Sequence, residues 1–288
     1  MFRIRYVLLL LSLFLIAGIG VPLIMHFRVN SDRISCQNHL RDLGLFGVRH
    51  ASIPGQPVPP TPKNELPPGT FENPSLAPER RMSWYVYTLN ALNQGPPQPD
   101  PKVKRRPPPG LGSLLEGFDP TAPWDAPTHA ALARYRLATA ICPAVVREYA
   151  PDEPVPTNYI AGGGLGLDTP ALPVEKAGPN SGAYRYDGPT PFELITDGMQ
   201  HTAQIIETNA NLGPWLEGGP STLRGLDPAA HPYLGPGRQF GGCHPGGGYA
   251  SMADGSVRFL KDSIDAGVFR AMLTIAGGAG ELNFDTVP

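Results

Sequence analysis

The sequence predicts an α+β protein with one long N-terminal helix, followed by short strands and loops rich in proline and glycine. Three observations lead to this prediction. An apolar run near the N-terminus continues into an amphipathic segment, and strand-like runs with a tight-turn signal lie towards the C-terminus. The chain also holds 34 glycines and 36 prolines, roughly twice the usual share of these two residues. Long helices after the N-terminal region are therefore not expected.

The N-terminal element is predicted to be a transmembrane helix. Residues 6–25 carry no charged side chain, and at about 1.5 Å per residue they can cross a hydrocarbon layer of ~30 Å. We therefore assign residues 1–30 to a membrane anchor with its flanks, and residues 31–288 to one extracytoplasmic domain. A signal peptide cleaved after Gly20 is the alternative. The basic residues on the two sides of the run orient the helix only weakly.

The next element is predicted to be an amphipathic helix over residues 31–52. One side of this helix carries Ile34, Cys36, Leu40 and Leu43 at intervals of three or four residues. Ser31 or Asp32 can cap its N-terminus. Pro22 and Asn30 suggest a kink or break between this helix and the apolar one.

The middle of the chain is predicted to contain short elements between loops. The prolines within residues 54–74 and 96–109 exclude helix interiors and central strands there. Between them, residues 83–93 favour a short buried helix slightly over a strand. Residues 157–161 are predicted to form a strand that ends at Gly162, and residues 202–207 a second strand with Ile205 and Ile206 buried.

A β-hairpin and a last helix are predicted near the C-terminus. Asp254-Gly255 joins two strand-like runs, a strong hairpin signal. A two-residue loop places Met252 opposite Val257, so that one buried face carries Ala250, Met252, Val257 and Phe259. A helix follows, capped by Asp262, Ser263 or Asp265, with Val268, Phe269, Met272 and Leu273 on one side and Gly277 at its end.

Charge and cysteine content exclude several function classes. The formal net charge is −2, so no overall field favours nucleic acid as a partner. The three cysteines, Cys36, Cys142 and Cys243, have no cysteine or histidine partner at zinc-finger spacing, so we expect no metal site and no cofactor. One disulfide with one free thiol is possible, which mildly favours an oxidising compartment.

Several blocks of the sequence resemble a bacterial family. His244, nine residues and Asp254-Gly255, in HPGGGYASMADGSVRFL, resemble the signature of prepilin-like proteins with a processing-associated His-x9-Asp-Gly domain, a domain of unknown function. Further blocks occur in the family's order: SCQNHLRDLGL, SWYVYTLNALNQ, FDPTAPWDAP, CPA, TNYIAG and ITDGMQHTAQIIE. The resemblance covers nearly the whole chain.

This resemblance implies a pilin-like plan, in which a membrane helix continues as an amphipathic helix packed on a mainly antiparallel sheet. It also implies a noncatalytic, pseudopilin-like structural or interaction protein of the bacterial cell envelope. Its partners would be the membrane and other pilin-like or envelope proteins. The segment Met1-Phe2-Arg3 lacks the glycine that precedes the cleavage site in such proteins, which argues against processing by a prepilin peptidase.

The motif residues receive structural roles in this interpretation. His244, Asp254 and Gly255 are expected to shape the hairpin, and no residue is assigned a catalytic role. Cys36 and Cys142 each lie in a family-like block, so we expect a disulfide between them that leaves Cys243 free. Three reduced cysteines are the alternative.

Two further functions have candidate residues in the sequence. An extracytoplasmic module that binds a glycan or peptide would use Trp84, Trp124 and Trp215 as a platform. An enzyme would use His244 as a base oriented by Asp254, but a straight strand would separate them by about 30 Å. The carboxylates that could pair for glycoside chemistry are Asp119, Asp125, Glu207 and Glu217, which are expected by default to be solvated.

Overall fold

The computed structural model describes residues 6, 12, 14, 16–48, 64–94, 111–119, 121–145, 148 and 150–278. The α-helices within these residues are α1 (Val21–Val48), α2 (Tyr85–Gln94), α3 (Leu111–Glu116), α4 (Ala130–Ala133) and α5 (Ala266–Met272). The strands are β1 (Glu65–Leu66), β2 (Tyr159–Leu165), β3 (Thr190–Pro191), β4 (Ala203–Glu207), β5 (Leu223–Leu226), β6 (Gly247–Met252) and β7 (Val257–Lys261). This content confirms the predicted α+β class.

The main sheet has five strands in the order β5-β2-β4-β6-β7. The pairs β2-β4, β4-β6 and β6-β7 are antiparallel, whereas β2 and β5 run parallel. Strands β1 and β3 form a separate antiparallel pair. The sheet is therefore mixed, with antiparallel pairing at most of its interfaces.

Helices cover both faces of this sheet, and the alternation of side chains along each strand assigns residues to one face or the other. Ile205 packs in the cluster that contains α1, and its neighbour Ile206 packs in the cluster that contains α5. Helix α1 contributes Cys36, Leu40 and Leu43, all fully buried, to the first cluster. Helix α5 contributes Phe269 and Met272 to the second. The central strands are thus buried on both faces.

Helix α1 is one unbroken α-helix, so the break expected between Pro22 and Asn30 is wrong. Pro22 is the second residue of α1, and α1 directly follows a π-helical segment, Ile16–Gly20. A proline ring fits in the first turn of an α-helix, where its missing N–H is not needed. The amphipathic helix predicted from Ser31 onwards is confirmed as the second half of α1.

The C-terminal hairpin is confirmed, but its predicted register is wrong by one residue. Ser251 lies opposite Val257, and Tyr249 lies opposite Phe259. The loop has three residues because the Met252 N–H donates to the Ser256 carbonyl, and Gly255 adopts a φ of 84°. A type I turn followed by a left-handed glycine is a common hairpin loop of this length.

The corrected register changes the two faces of the hairpin. The predicted face of Ala250, Met252, Val257 and Phe259 does not exist. Ala250, Met252 and Leu260 pack in the cluster that contains α5, whereas Tyr249 and Val257 pack towards α1. Phe259 remains 38% exposed.

Most other predicted elements occur near their expected positions. The preference for a short buried helix over residues 83–93 is confirmed by α2, and the strand with buried Ile205 and Ile206 by β4. Strand β2 differs from the strand predicted over residues 157–161, because it continues through Gly162 to Leu165. The predicted last helix is α5, which Asp265 caps and which ends at Met272.

Some predictions fall wholly or partly outside the described residues. These are the apolar run at 6–25, of which several positions are not described, and the proline-rich stretches at 54–63 and 96–109. Within the part of the chain that is described, no helix is long and apolar enough to cross a membrane.

Candidate functional site

Four side chains capable of binding a metal meet beneath helix α1. Cys36 lies on α1, Cys142 follows α4, Glu207 is the last residue of β4, and His244 precedes β6. One donor atom of each lies within 4.8 Å of the donor atoms of the other three, and all four residues are buried. We call these four residues the buried cluster.

His244 is in contact with two members of the cluster through one atom. Its Nε2 lies 3.5 Å from the Cys142 Sγ and 3.3 Å from the Glu207 Oε1. The other carboxylate oxygen of Glu207, Oε2, accepts a hydrogen bond of 2.7 Å from the Tyr249 backbone N–H. Glu207 Oε1 is buried and has no hydrogen-bond partner among the described residues.

The sheet register directs Glu207 towards α1. Glu207 lies two positions after Ile205 and therefore on the same face of β4. Its neighbour across the sheet is Tyr159 on β2, whose ring is also fully buried in the α1 cluster. A carboxylate on a central strand is thus held beneath a helix, where it is fully shielded from water.

Backbone contacts hold the two loops of the cluster in place. The Cys142 N–H donates to the Asn158 Oδ1 at 3.1 Å, and the Asn158 amide donates to the Thr208 carbonyl just after β4. His244 packs edge-on against Tyr249, with ring centroids 5.2 Å apart. The loop before β6 turns at several glycines, and a side chain on Gly248 would lie 3.0 Å from the Gly241 Cα.

The protonation of the cluster follows from its burial and its internal contacts. A hydrogen bond with Cys142 and then burial raise the pKa of the Cys36 thiol far above its ordinary value. A hydrogen bond with Cys243, assisted by burial, also raises the pKa of the Cys142 thiol. Burial lowers the pKa of His244, but contacts with Cys36 and Glu207 outweigh it and raise that pKa to about 9.

All three cysteines are free thiols in the structure. The sequence correctly places Cys36 and Cys142 near each other, since their sulfur atoms lie within 4.8 Å, but no bond joins them. The disulfide between them therefore stays a prediction. The Cys243 Sγ lies outside the four-residue group and donates to the Thr208 carbonyl at 3.4 Å.

The other motif residues lie at the hairpin tip. The Asp254 carboxylate accepts hydrogen bonds from the Ser256 N–H and hydroxyl, which stabilises the turn. The His244 ring contacts Cys142 and Glu207 instead, so the structure does not pair His244 with Asp254 as a base and its orienting acid.

Sequence spacing did not reveal the buried cluster. Successive members of the cluster are separated by 37 to 106 positions along the chain. Zinc sites that can be recognised from a sequence have pairs of ligands only a few residues apart. The absence of zinc-finger spacing therefore did not exclude a group of side chains that could bind a metal. The one signal of the cluster in the sequence is that each of its four residues lies in or beside a family-like block.

The carboxylates considered for glycoside chemistry do not share one environment. Glu207 is fully buried, so the default expectation of a solvated acid is wrong for it. Asp119 and Asp125 are exposed, and Asp125 forms an ion pair with Arg80. Glu217 is partly buried and accepts a hydrogen bond from the Ser221 hydroxyl.

The three tryptophans do not form a binding platform. Trp84 is 1% exposed and Trp215 is fully buried. Their indole N–H groups donate to the Thr222 and Tyr135 carbonyls, respectively. Trp124 is partly exposed, and its indole donates to the Glu79 carbonyl. Two of the three rings are therefore part of the core.

A separate open groove of about 930 Å³ lies beside β5. Its lining includes Tyr186, Arg224 and Arg238 and none of the buried cluster. Arg224 donates to the carbonyls of Pro220, Ala210 and Asn211. Burial lowers the pKa of Arg224 to about 10.

The fold and the buried cluster define an α+β protein built around a long N-terminal helix. The family described as "Protein of unknown function (DUF1559)" matches residues 27–267. The chain belongs to this family. No curated protein and no solved structure matches the chain.

Proposed function

We propose that this is a membrane-anchored, pilin-like protein of the bacterial cell envelope with a structural or interaction role. In this proposal, the first part of α1 and the residues before it lie in the membrane, and the domain that follows lies outside the cytoplasm. The observation that carries the proposal is the division of α1 into an exposed apolar half and a buried half.

The first half of α1 exposes large apolar side chains to its surroundings. Every residue from Val21 to Asn30 is exposed. The exposed fraction is 62% for Ile24, Met25 and Phe27. Most of the residues from Val21 to Asn30 are apolar, the exceptions being His26, Arg28 and Asn30, and exposed apolar side chains around a helix are typical of a helix surrounded by lipid. We call residues 16–30 the apolar arm.

The second half of α1 ties the apolar arm to the body of the protein. Arg33 makes specific contacts with the body: its guanidinium lies 5.6 Å from the centre of the Phe259 ring and donates to the Pro245 carbonyl. Cys36, Leu40 and Leu43 then bury one side of the helix on the sheet. A single rigid helix that links a membrane to a folded domain is the plan expected of a pilin-like protein.

Two matched substitutions test this anchoring. Ile16 and Ile34 are 63% and 59% exposed, respectively, and lie in the helical N-terminal region, but only Ile16 belongs to the apolar arm. An arginine near the centre of a membrane helix costs about 2.5–3.5 kcal/mol of insertion free energy. Ile16→Arg should therefore release much of the full chain from carbonate-washed membranes, while Ile34→Arg should stay bound. Equal behaviour of the two variants would contradict the proposal.

A second candidate function, extracytoplasmic ligand binding, is favoured by the open groove. Its volume of about 930 Å³ lies in the range of small-molecule sites, about 300–1,000 Å³. Leu167 lines the groove and is 64% exposed. If the groove binds a sugar or a peptide, a panel of soluble oligosaccharides and peptides should include one that raises the melting temperature of wild type but not of Leu167→Arg.

A further inference from the structure

We propose that the buried cluster is a binding site for one transition-metal ion, with Zn²⁺ as the ion that fits best. The ligand atoms would be the Cys36 Sγ, the Cys142 Sγ, the Glu207 Oε1 and the His244 Nε2. The site would be structural, holding helix α1 against the sheet and its loops.

The donor chemistry selects the class of metal. Two sulfurs, one imidazole nitrogen and one carboxylate oxygen form a set of four ligands that is typical of tetrahedral Zn²⁺. Mg²⁺ and Ca²⁺ prefer oxygen ligands and bind thiolates poorly. Cu⁺ is the main competitor, because it favours soft sulfur ligands.

Two of the distances between donor atoms in the cluster match the edges of a tetrahedral zinc site. Metal–ligand lengths of about 2.0 Å for nitrogen and oxygen and about 2.3 Å for sulfur place nitrogen and sulfur ~3.5 Å apart, and nitrogen and oxygen ~3.3 Å apart. The His244 Nε2 lies 3.5 Å from the Cys142 Sγ and 3.3 Å from the Glu207 Oε1. The Cys36 ligand atom lies within 4.8 Å of all three.

The Glu207 Oε1 is independent evidence for a ligand, because it is buried and the described residues give it an ion-pair contact but no hydrogen bond. A buried carboxylate oxygen without a hydrogen bond is destabilising, and such atoms are rare in folded proteins. Glu207 Oε1 has no hydrogen-bond partner within the described residues, although the His244 Nε2 is only 3.3 Å away. A metal ion bound between the two would replace the proton that His244 shares with Glu207 and would bind both the oxygen and the nitrogen.

The surrounding residues orient the ligands as outer-shell contacts do in metal sites. The Tyr249 N–H holds the Glu207 Oε2, so that Oε1 is the oxygen that turns into the cluster. The Asn158 side chain holds the backbone of Cys142. The Tyr249 ring packs edge-on against the imidazole of His244.

Complete burial indicates a structural role for the metal. A catalytic zinc has three protein ligands and one position open to water or substrate, whereas a structural zinc has four protein ligands. All four cluster residues are buried. The metal would join α1 to β4 and to two loops, so its binding free energy would stabilise the attachment of the helix to the body.

Cobalt titration tests the site directly, because tetrahedral Co²⁺ with thiolate ligands absorbs strongly. The full chain is purified in detergent under reducing conditions and stripped of metal with a chelator. Addition of Co²⁺ should produce intense visible bands and a sulfur-to-cobalt charge-transfer band that saturate at one ion per chain. Zn²⁺ should abolish these bands and raise the melting temperature of the protein.

Variants assign the ligands, with the third buried thiol as a matched control. Loss of an outer-shell contact typically lowers metal affinity by about 10–100-fold, so removal of a ligand should lower it by at least ~100-fold. We expect this loss for Cys36→Ser, Cys142→Ser and the isosteric Glu207→Gln. Cys243→Ser should bind with nearly wild-type affinity, because the Cys243 Sγ lies outside the cluster and a serine hydroxyl can keep its contacts with the Thr208 carbonyl and the Cys142 thiol.

Three outcomes would overturn the proposal. The first is a folded, reduced wild-type chain that binds neither Co²⁺ nor Zn²⁺, a result that does not depend on whether the variants fold. The second is a loss of affinity in Cys243→Ser equal to that in Cys142→Ser. The third is a native chain in which peptide mapping finds Cys36 and Cys142 joined by a disulfide, because the bonded sulfurs would be lost as thiolate ligands.

Discussion

Replacement of Gly255 by valine should destabilise the protein through two separate effects at the hairpin tip. Gly255 has a φ of 84°, a conformation that a β-branched residue adopts only with strain. An added Cβ would also lie 2.6 Å from the Leu45 Cδ2 on helix α1. Backbone strain costs about 1–3 kcal/mol and overpacking about 1–3 kcal/mol. We therefore expect a loss of ~2–6 kcal/mol in the free energy of unfolding.

Thermal unfolding of paired variants measures the two effects. At about 2–4 °C per kcal/mol for a domain of this size, Gly255→Val should lower the melting temperature by at least ~4 °C. Gly188→Val is the control for strain alone, since Gly188 has a φ of 76° and an added Cβ there meets no atom within 4 Å. Leu45→Ala should rescue part of the loss at Gly255. A Gly255→Val protein as stable as wild type would refute the assigned turn.

Three further predictions concern the core, a helix cap and the response to pH. Leu40→Ala should cost about 2–5 kcal/mol in a urea titration because Leu40 is fully buried, while Ile34→Ala on the exposed side should cost little. Asp265→Ala should cost about 0.5–2 kcal/mol, since this carboxylate accepts two backbone N–H groups at the start of α5. Burial lowers the pKa of His39 from its ordinary value of 6.5. The unfolded chain therefore binds this proton more strongly than the folded chain does, and the free energy of unfolding decreases as the pH falls below 6.5. His39→Gln should lose less stability than wild type between pH 7.5 and pH 5.

Local signals predicted the elements but not all of their details. The spacing of Ile34, Cys36, Leu40 and Leu43 predicted the buried side of α1, correctly for the last three but wrongly for Ile34, which is 59% exposed. Asp254-Gly255 predicted the hairpin. The hairpin register depended on loop length, and a two-residue and a three-residue loop both fit a glycine at position 255. Pro22 suggested a break, but it lies in the first turn of α1, just after a π-helical segment that has no clear sequence signal.

The buried cluster could not be predicted from the spacing of its residues in the sequence, for a physical reason. The β4 register, the packing of α1 and the loop before β6 together bring distant residues to one point. A glutamate at a strand end and a cysteine on an amphipathic helix each fit a commonplace structural role. Only the tertiary contacts show that Glu207 points at Cys36 rather than at solvent. The meeting of Cys36 with Cys142 was predicted, but from the family resemblance.

Protease treatment of intact cells that produce the full chain tests the central claim most directly. If the apolar arm anchors the protein with its body outside the cytoplasm, added protease that reaches the outer face of the cytoplasmic membrane should digest the domain that follows Ser31. The same treatment should leave a cytoplasmic marker intact. A domain that stays protected until the cells are lysed, or that is recovered entirely in the soluble fraction, would contradict the account.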